Sequence, residues 1–145
     1  TFQTWVSIDH FDQSIQTILN TKQNHGDLLH WQLDRSGEVH LGVKPRARFE
    51  ILERNMTVGT RDWVQLSVTY HSSDNIIRCY INATCVKETT HELGELVLGE
   101  CMLGAWQQNG KMVRGLRGRM DEFSLRQRCL SDQEIAESFK AGMPN

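Results

Sequence analysis

Apolar residues in this chain recur at every second position over one stretch after another, and neighbouring stretches pair in register. Leu29, Trp31 and Leu33 alternate with His30, Gln32 and Asp34; Arg35-Ser36-Gly37 turns the chain, and Val39, Leu41 and Val43 resume the apolar side. Period-two alternation puts one set of side chains on each face of a strand. Setting Leu33 opposite Val39 and Trp31 opposite Leu41 keeps both apolar sets on one face. It leaves a three-residue loop ending at Gly37, where the common hairpin of that length needs a left-handed residue.

The same logic reaches most of the chain. Phe2, Val6 and Ile8 alternate with Gln3, Trp5 and Ser7, and Ile15 to Asn20 reads as a second strand. Asn24-His-Gly marks a turn. Lys44-Pro45-Arg46 breaks the pattern before a short edge strand over Arg48 to Leu52. Trp63 to Tyr70 and Ile76 to Asn82 form a second hairpin, with Tyr70 facing Ile77, Val68 facing Cys79 and Leu66 facing Ile81. Cys85 to Glu88, Glu95 to Leu98 and Cys101 to Trp106 follow as short strands, and Gln107 to Met112 as a polar loop. Many short antiparallel strands separated by turns predict an all-β, two-sheet sandwich.

The chain closes differently. From Gly118 the chain reads as a strand running straight into a short helix, with Ser131 as its N-cap and Glu134 completing a capping box. Leu130 and Ile135 can close as a hydrophobic staple, and Ile135 and Phe139 make one apolar stripe. Gly142 is expected to end the helix as a left-handed residue, with Pro144 beyond it.

At 145 residues, 39% hydrophobic and 23% charged, the chain suits one compact domain spanning 1–145. A formal charge of −2 argues against a nucleic-acid partner. No apolar run is long enough to span a bilayer, so direct membrane insertion of this segment is not expected. Thr1-Phe-Gln-Thr-Trp-Val begins as if in mid-strand, which reads as a domain taken from a longer chain and attached to others. Cys79, Cys85, Cys101 and Cys129 have no zinc-binding spacing; they read as buried free thiols on strands or, for Cys79 and Cys85, as a disulfide across a turn. Asn55-Met-Thr and Asn82-Ala-Thr match the glycosylation triplet and decide nothing alone.

Four stretches carry a resemblance. Phe2-Gln-Thr-Trp-Val-Ser-Ile, Trp63-Val-Gln-Leu-Ser-Val-Thr-Tyr, Arg78-Cys-Tyr-Ile-Asn, and Gly118-Arg-Met-Asp-Glu-Phe with Leu130-Ser-Asp-Gln-Glu-Ile follow one another in family order. Together they resemble the laminin-G-like, concanavalin-A-like jelly-roll domains, with their pentraxin-like and bacterial branches. Ala83 stands where the family's hairpin usually has Gly. The run from Asn24 to Asp27 and from His30 to Val39 is similar to the C-terminal domains of ferric-citrate-sensor-type anti-sigma regulators. The resemblance implies a jelly-roll sandwich with a short C-terminal helix in an extracytoplasmic protein of periplasm, envelope or secretion. It makes calcium a possible ligand and no other cofactor expected. The loop acids Asp9, Asp12, Asp27 and Asp74 form no recognisable cage.

Glycoside hydrolases occur on this fold, so catalysis needs testing against the sequence. A retaining glucanase of the fold needs Glu-x-Asp-x-x-Glu on one strand, and this chain has no such run. Asp121 and Glu122 are adjacent on a strand and are better read as fixing a strand end or bulge. The outward sides of the strands carry Trp5, His30, Gln32, His40, Trp63, Gln65, Arg78, Tyr80 and Asn82, and Trp106, beside the polar loop, is a further candidate. Aromatic platforms among amides, imidazoles and a guanidinium suit a sugar's apolar face and hydroxyl rim. His30 and His40 fall diagonally across the first hairpin, but two imidazoles with no carboxylate beside them make a poor metal site. Lys111, Arg114, Arg117, Arg119, Arg126 and Arg128 could meet a polyanion or serve as a solvated rim. The expected function is a non-catalytic recognition module binding carbohydrate. The alternatives are a structural or protein-interaction domain with a protein ligand and, least supported, a glycoside hydrolase.

Overall fold

A computed structural model describes residues 1–12, 15–22, 28–44 and 61–144. The strand expected over Arg48 to Leu52, the turn at Asn24, Asp27, and the Asn55 triplet lie outside these residues. The elements run β1 (Phe2–Ile8), β2 (Ile15–Thr21), β3 (Leu28–Asp34), β4 (Val39–Lys44), β5 (Val64–His71), β6 (Ile76–Ile81), β7 (Thr84–Thr90), β8 (Cys101–Leu103), β9 (Trp106–Gln108), β10 (Lys111–Val113), β11 (Gly118–Leu125) and α1 (Asp132–Ala141). Among the described residues, β11-β1-β5-β6-β7 form one antiparallel sheet, β4-β3-β2-β8 the other, and β9 and β10 a separate hairpin. This is a jelly-roll sandwich. Among the described residues no helix is long and apolar enough to cross a membrane.

Both hairpin registers take the form that alternation dictates. Leu33 faces Val39 and Trp31 faces Leu41, with Gly37 left-handed at φ 83°. Tyr70 faces Ile77, Val68 faces Cys79 and Leu66 faces Ile81. The apolar sides meet between the sheets, where Phe2 of β1 lies 6.4 Å from Trp31 of β3, centroid to centroid. Val6, Ile8, Ile18, Leu29 and Leu33 are fully buried around that contact. At about 1.5–3 kcal/mol for each large apolar side chain withdrawn from water, this inter-sheet layer dominates the stability of the sandwich.

Several expectations give way. Glu95 to Leu98 is not assigned as a strand; Leu96 and Leu98 pack against the core. Cys101 to Trp106 is interrupted at Gly104, φ 69°, which divides β8 from β9. The polar loop at Gln107 to Met112 is instead the β9–β10 hairpin, turning on Asn109 (φ 50°) and Gly110 (φ 76°). Two successive left-handed residues are the signature of a type I′ turn, whose twist matches the strands. The four cysteines are free, and Cys79 alone of them is buried.

Helix α1 has the predicted start. Ser131 Oγ accepts from Glu134 N, and Glu134 Oε2 accepts from Ser131 N at 2.9 Å. Its end differs, because Gly142 has φ −115° and is not left-handed. Space explains the glycine: a Cβ there would come within 3.1 Å of Trp5 Nε1 and 3.2 Å of the Ser138 carbonyl.

Candidate functional site

Two outer faces exist, and α1 closes one. Phe139 stacks on Trp5, Tyr80 Oη donates to Asp132 Oδ1 at 2.7 Å, and Leu130, Ile135 and Tyr80 form a second buried cluster. Trp5 is 1% exposed, and Gln65 and Tyr80 are 2% exposed. These three candidates are withdrawn from a ligand's reach by the helix, a correction to the outward face expected from alternation. The other members of that sheet take local partners. Arg119 lies over Trp63 at 5.0 Å, Arg78 Nε pairs with Glu88 at 2.6 Å, and Asn82 Oδ1 accepts from Gln65 N in the β6–β7 turn. Trp63, Arg78 and Asn82 are thus on a different sheet from His30, Gln32 and His40. Alternation separates inside from outside; it does not say which sheet a strand joins.

The second outer face belongs to β4-β3-β2-β8. Register places Thr17 beside Gln32 and Asn20 beside His30 across β2 and β3, and His40 beside Gln32 and Gly42 beside His30 across β3 and β4. Gln32 Nε2 donates to Asn20 Oδ1 at 3.2 Å and lies 3.4 Å from His30 Nδ1. Asn20 Nδ2 and Thr17 Oγ1 are buried with no hydrogen-bond partner, an unusual cost for a protein interior. Across from His30, a Cβ built on Gly42 meets no atom within 4 Å, so this face has room beside the imidazole.

The β9–β10 hairpin rises from the edge of this sheet. It leaves at Gly104, whose N–H donates to the Ile18 carbonyl at 3.0 Å, and returns at Arg114, whose carbonyl accepts from Thr17 N at 2.9 Å. That anchoring sets Trp106 against His30, edge to face with centroids 5.8 Å apart. The Arg114 guanidinium covers the Trp106 ring at 4.5 Å. All three are half-buried, whereas Gln107, Gln108, Asn109 and Lys111 at the hairpin's tip are exposed. His30, Gln32, His40 and Trp106 therefore share one face, joined by Asn20, which sequence reasoning did not select, and by Arg114, which it placed only in a basic cluster. The Asn109-Gly110 pair, a strong hairpin signal, could have found the arm that brings Arg114 in.

Where β3 turns into β4, the carboxylate of Asp34 organises the rim. Its Oδ1 accepts from Ser36 N at 2.8 Å, Ser36 Oγ at 2.6 Å and Glu38 N at 3.0 Å. Its Oδ2 lies 3.1 Å from His40 Nε2. Partial burial would raise the Asp34 pKa, but the hydrogen bonds from Ser36 and His40 outweigh it and hold the carboxyl below its usual value. Asp34, Glu38 and His40 bring one ligand atom each within 4.8 Å of one another. His40 thus has carboxylate neighbours, unlike the bare histidine pair expected. Two carboxylates and an imidazole do not make the six to eight oxygens that calcium takes, and Asp9, Asp12 and Asp74 join no such group among the described residues.

The remaining candidates resolve locally. Asp121 and Glu122 sit where the β1–β11 register shifts; Glu122 is left-handed at φ 50°, and Asp121 Oδ1 accepts from its N–H at 2.8 Å. The pair builds a bulge. The basic residues spread over separate partners, with Arg117 near Asp12 at 3.9 Å, Arg126 on Gln3 and Arg128 on Glu134. A cleft of about 640 Å³ by Phe2, Tyr70, Leu96 and Leu125 includes none of the candidate sugar-binding residues.

A family model described as the Concanavalin A-like lectin/glucanases superfamily matches residues 1–136. No curated protein matches. Among solved structures the chain is similar to the Ruminococcus gnavus IT-sialidase CBM40 bound to α2,3-sialyllactose, with 16% identity and a TM-score of 0.74 over 94% of this chain and 80% of that one. It is similar to a SAP-like pentraxin of Limulus polyphemus, at 12% identity and TM-score 0.71 over 95% of this chain and 68% of the pentraxin. Against the NanB sialidase of Streptococcus pneumoniae the identity is 21% and the TM-score 0.68, over 94% of this chain and 23% of the sialidase chain. At such identities the likeness is one of fold.

Proposed function

The chain belongs to the concanavalin A-like lectin/glucanases superfamily, and from that premise we propose that it is a non-catalytic module binding carbohydrate on the outer face of the β4-β3-β2-β8 sheet. The observation that carries the reading is the half-buried Trp106 ring, fixed by His30 at its edge and by Arg114 above it. An indole held in place costs little further entropy when a sugar's apolar face covers it. His30 and His40 supply donors and acceptors for the hydroxyl rim, with Gln32, 7% exposed and bonded to Asn20, behind them, and the exposed amides of Gln107, Gln108 and Asn109 extend that set. Asp34 is committed to its turn and to His40, so it is poorly placed to act as a proton donor. The similarity to a carbohydrate-binding module solved with a sialylated sugar supports the class of ligand. As part of a longer envelope or secreted protein, the module would hold its host against glycans.

The test is a glycan array probed with the 145-residue protein, Trp106→Ala and Trp63→Ala. The expected result is binding by the wild type, a loss of about tenfold or more in Trp106→Ala, and a smaller change in Trp63→Ala. If the wild type binds no glycan, or Trp106→Ala binds as well, the reading fails and the protein-interaction alternative takes its place.

A further inference from the structure

We propose that the Trp106 end of this face takes an anionic glycan, one bearing a carboxylate or a sulfate, with Arg114 as the group that engages the charge. The inference rests on the carbohydrate reading above and narrows it to a class of sugar.

The geometry singles out Arg114. Its guanidinium carbon lies 4.5 Å from the centroid of the Trp106 ring, a contact in which the ring attracts the charge without taking up its N–H donors as hydrogen bonds. Arg78 and Arg128 are each matched to a carboxylate at 2.6 Å, Glu88 and Glu134 respectively. Arg114 has no ion pair among the described residues. Burial pushes its pKa down and no acidic group among the described residues raises it back, whereas Glu88 and Glu134 raise those of Arg78 and Arg128. A partly desolvated cation without a counter-charge is a cost that an anionic ligand removes, and removal of that cost appears as affinity.

The surroundings agree. Trp106 and His30, next to the guanidinium, offer a sugar ring the aromatic surface that Arg114 leaves uncovered while its anionic group meets Arg114. Among the described residues, Asp34 and Glu38 are at the opposite end of β3, about 13 Å from His30 at the strand's rise per residue, and Glu100, nearer this end, is already paired with Lys22 at 2.6 Å. A charged sugar therefore has one favoured direction. Its anionic group points to the β9–β10 hairpin and its hydroxyls to Gln32 and His40. A planar carboxylate can take two parallel N–H bonds from the guanidinium, and a sulfate can take the same pair.

The experiment compares matched neutral and acidic glycans on the array, followed by calorimetry with lactose, 3′-sialyllactose and 3′-sulfolactose, for the wild type and Arg114→Gln. Acidic members are expected to bind about tenfold or more tightly than their neutral counterparts, the preference shrinking as salt is raised from low to high. In Arg114→Gln the ratio of acidic to neutral affinity is expected to fall to near one. Sialyllactose and sulfolactose then report which anion fits better. If neutral glycans bind as tightly as acidic ones in the wild type, or if Arg114→Gln keeps the preference, the anionic site is wrong while carbohydrate binding stands. If no glycan binds, both readings fall. The wild-type comparison decides even if the variant misfolds.

Discussion

The ring of Phe139 stacks on the indole of Trp5, their centroids 5.3 Å apart and their planes 21° from parallel. One residue is on the last helix and the other is near the start of the chain, so this contact fastens α1 across the sheet and seals a whole face. Phe139→Ala is expected to destabilise the protein by about 2 kcal/mol, less than for a fully buried phenylalanine because Phe139 is half-exposed. Urea denaturation measures the loss. Trp5 emission should shift to the red as water reaches the indole; unchanged stability and emission would mean that the helix is held elsewhere.

Tyr80 supplies a second fastening. Its hydroxyl, on β6, donates to Asp132 in the first turn of α1 at 2.7 Å. Burial and the Asp132 carboxylate together push the phenol's pKa up, so it remains a donor through the ordinary pH range. Tyr80→Phe removes the donor and keeps the ring, and about 1.5 kcal/mol should be lost, as for a hydrogen bond to a charged group. Combined with Asp132→Asn in a double-mutant cycle, the two changes should be far from additive. Simple additivity would show that they do not act as a pair.

Glu134 makes the helix start sensitive to acid. The Arg128 guanidinium 2.6 Å away and the Ser131 N–H hold its carboxyl down to about 2 from the usual 4.5. A carboxyl depressed in the folded state contributes fully above its unfolded value and loses that contribution as pH falls towards the folded one. The denaturation midpoints of wild type and Glu134→Gln should therefore differ at pH 6 and converge between pH 4.5 and 2. Added salt should narrow the gap, since the pair faces solvent. A difference that stays constant down to pH 2 would contradict this.

What the sequence makes legible depends on how local the determining physics is. Pairing of Leu33 with Val39 and of Val68 with Cys79 follows from keeping apolar sets on one face, because a slip of one residue would turn every side chain over. The cap at Ser131 is equally local. Trp5 and Tyr80 are different. Each alternates outward, as a ligand-binding residue would, and only the docking of α1, whose Asp132 is 52 residues beyond Tyr80, makes them internal. A hint was available, since the Ile135–Phe139 stripe needs an apolar surface and Trp5 with Tyr80 provides one. Gly142 reads as a left-handed cap by its position but is there for space against Trp5. Glu95 to Leu98 has strand-like composition, yet what its leucines do is pack against the core, and alternation alone does not tell that from a place in a ladder.

The Asn109-Gly110 turn tests whether the arm belongs to the scaffold or to the binding face. Both residues are left-handed, at φ 50° and 76°, and a side chain at Gly110 should cost about 1–2 kcal/mol in that conformation. The open space around Gly110 means that strain, and not collision, is the cause. The hairpin's tip is exposed and lies outside the buried core, so Gly110→Ala should weaken the arm without unfolding the sandwich. The expected signature is separable: an unchanged midpoint in urea, faster amide exchange at Lys111 to Val113, and glycan affinity reduced several-fold as Trp106 and Arg114 lose their fixed positions. A lowered midpoint would instead make the arm part of the folding unit. Faster exchange with undiminished affinity would detach it from ligand binding and leave His30, Gln32 and His40 to do that work.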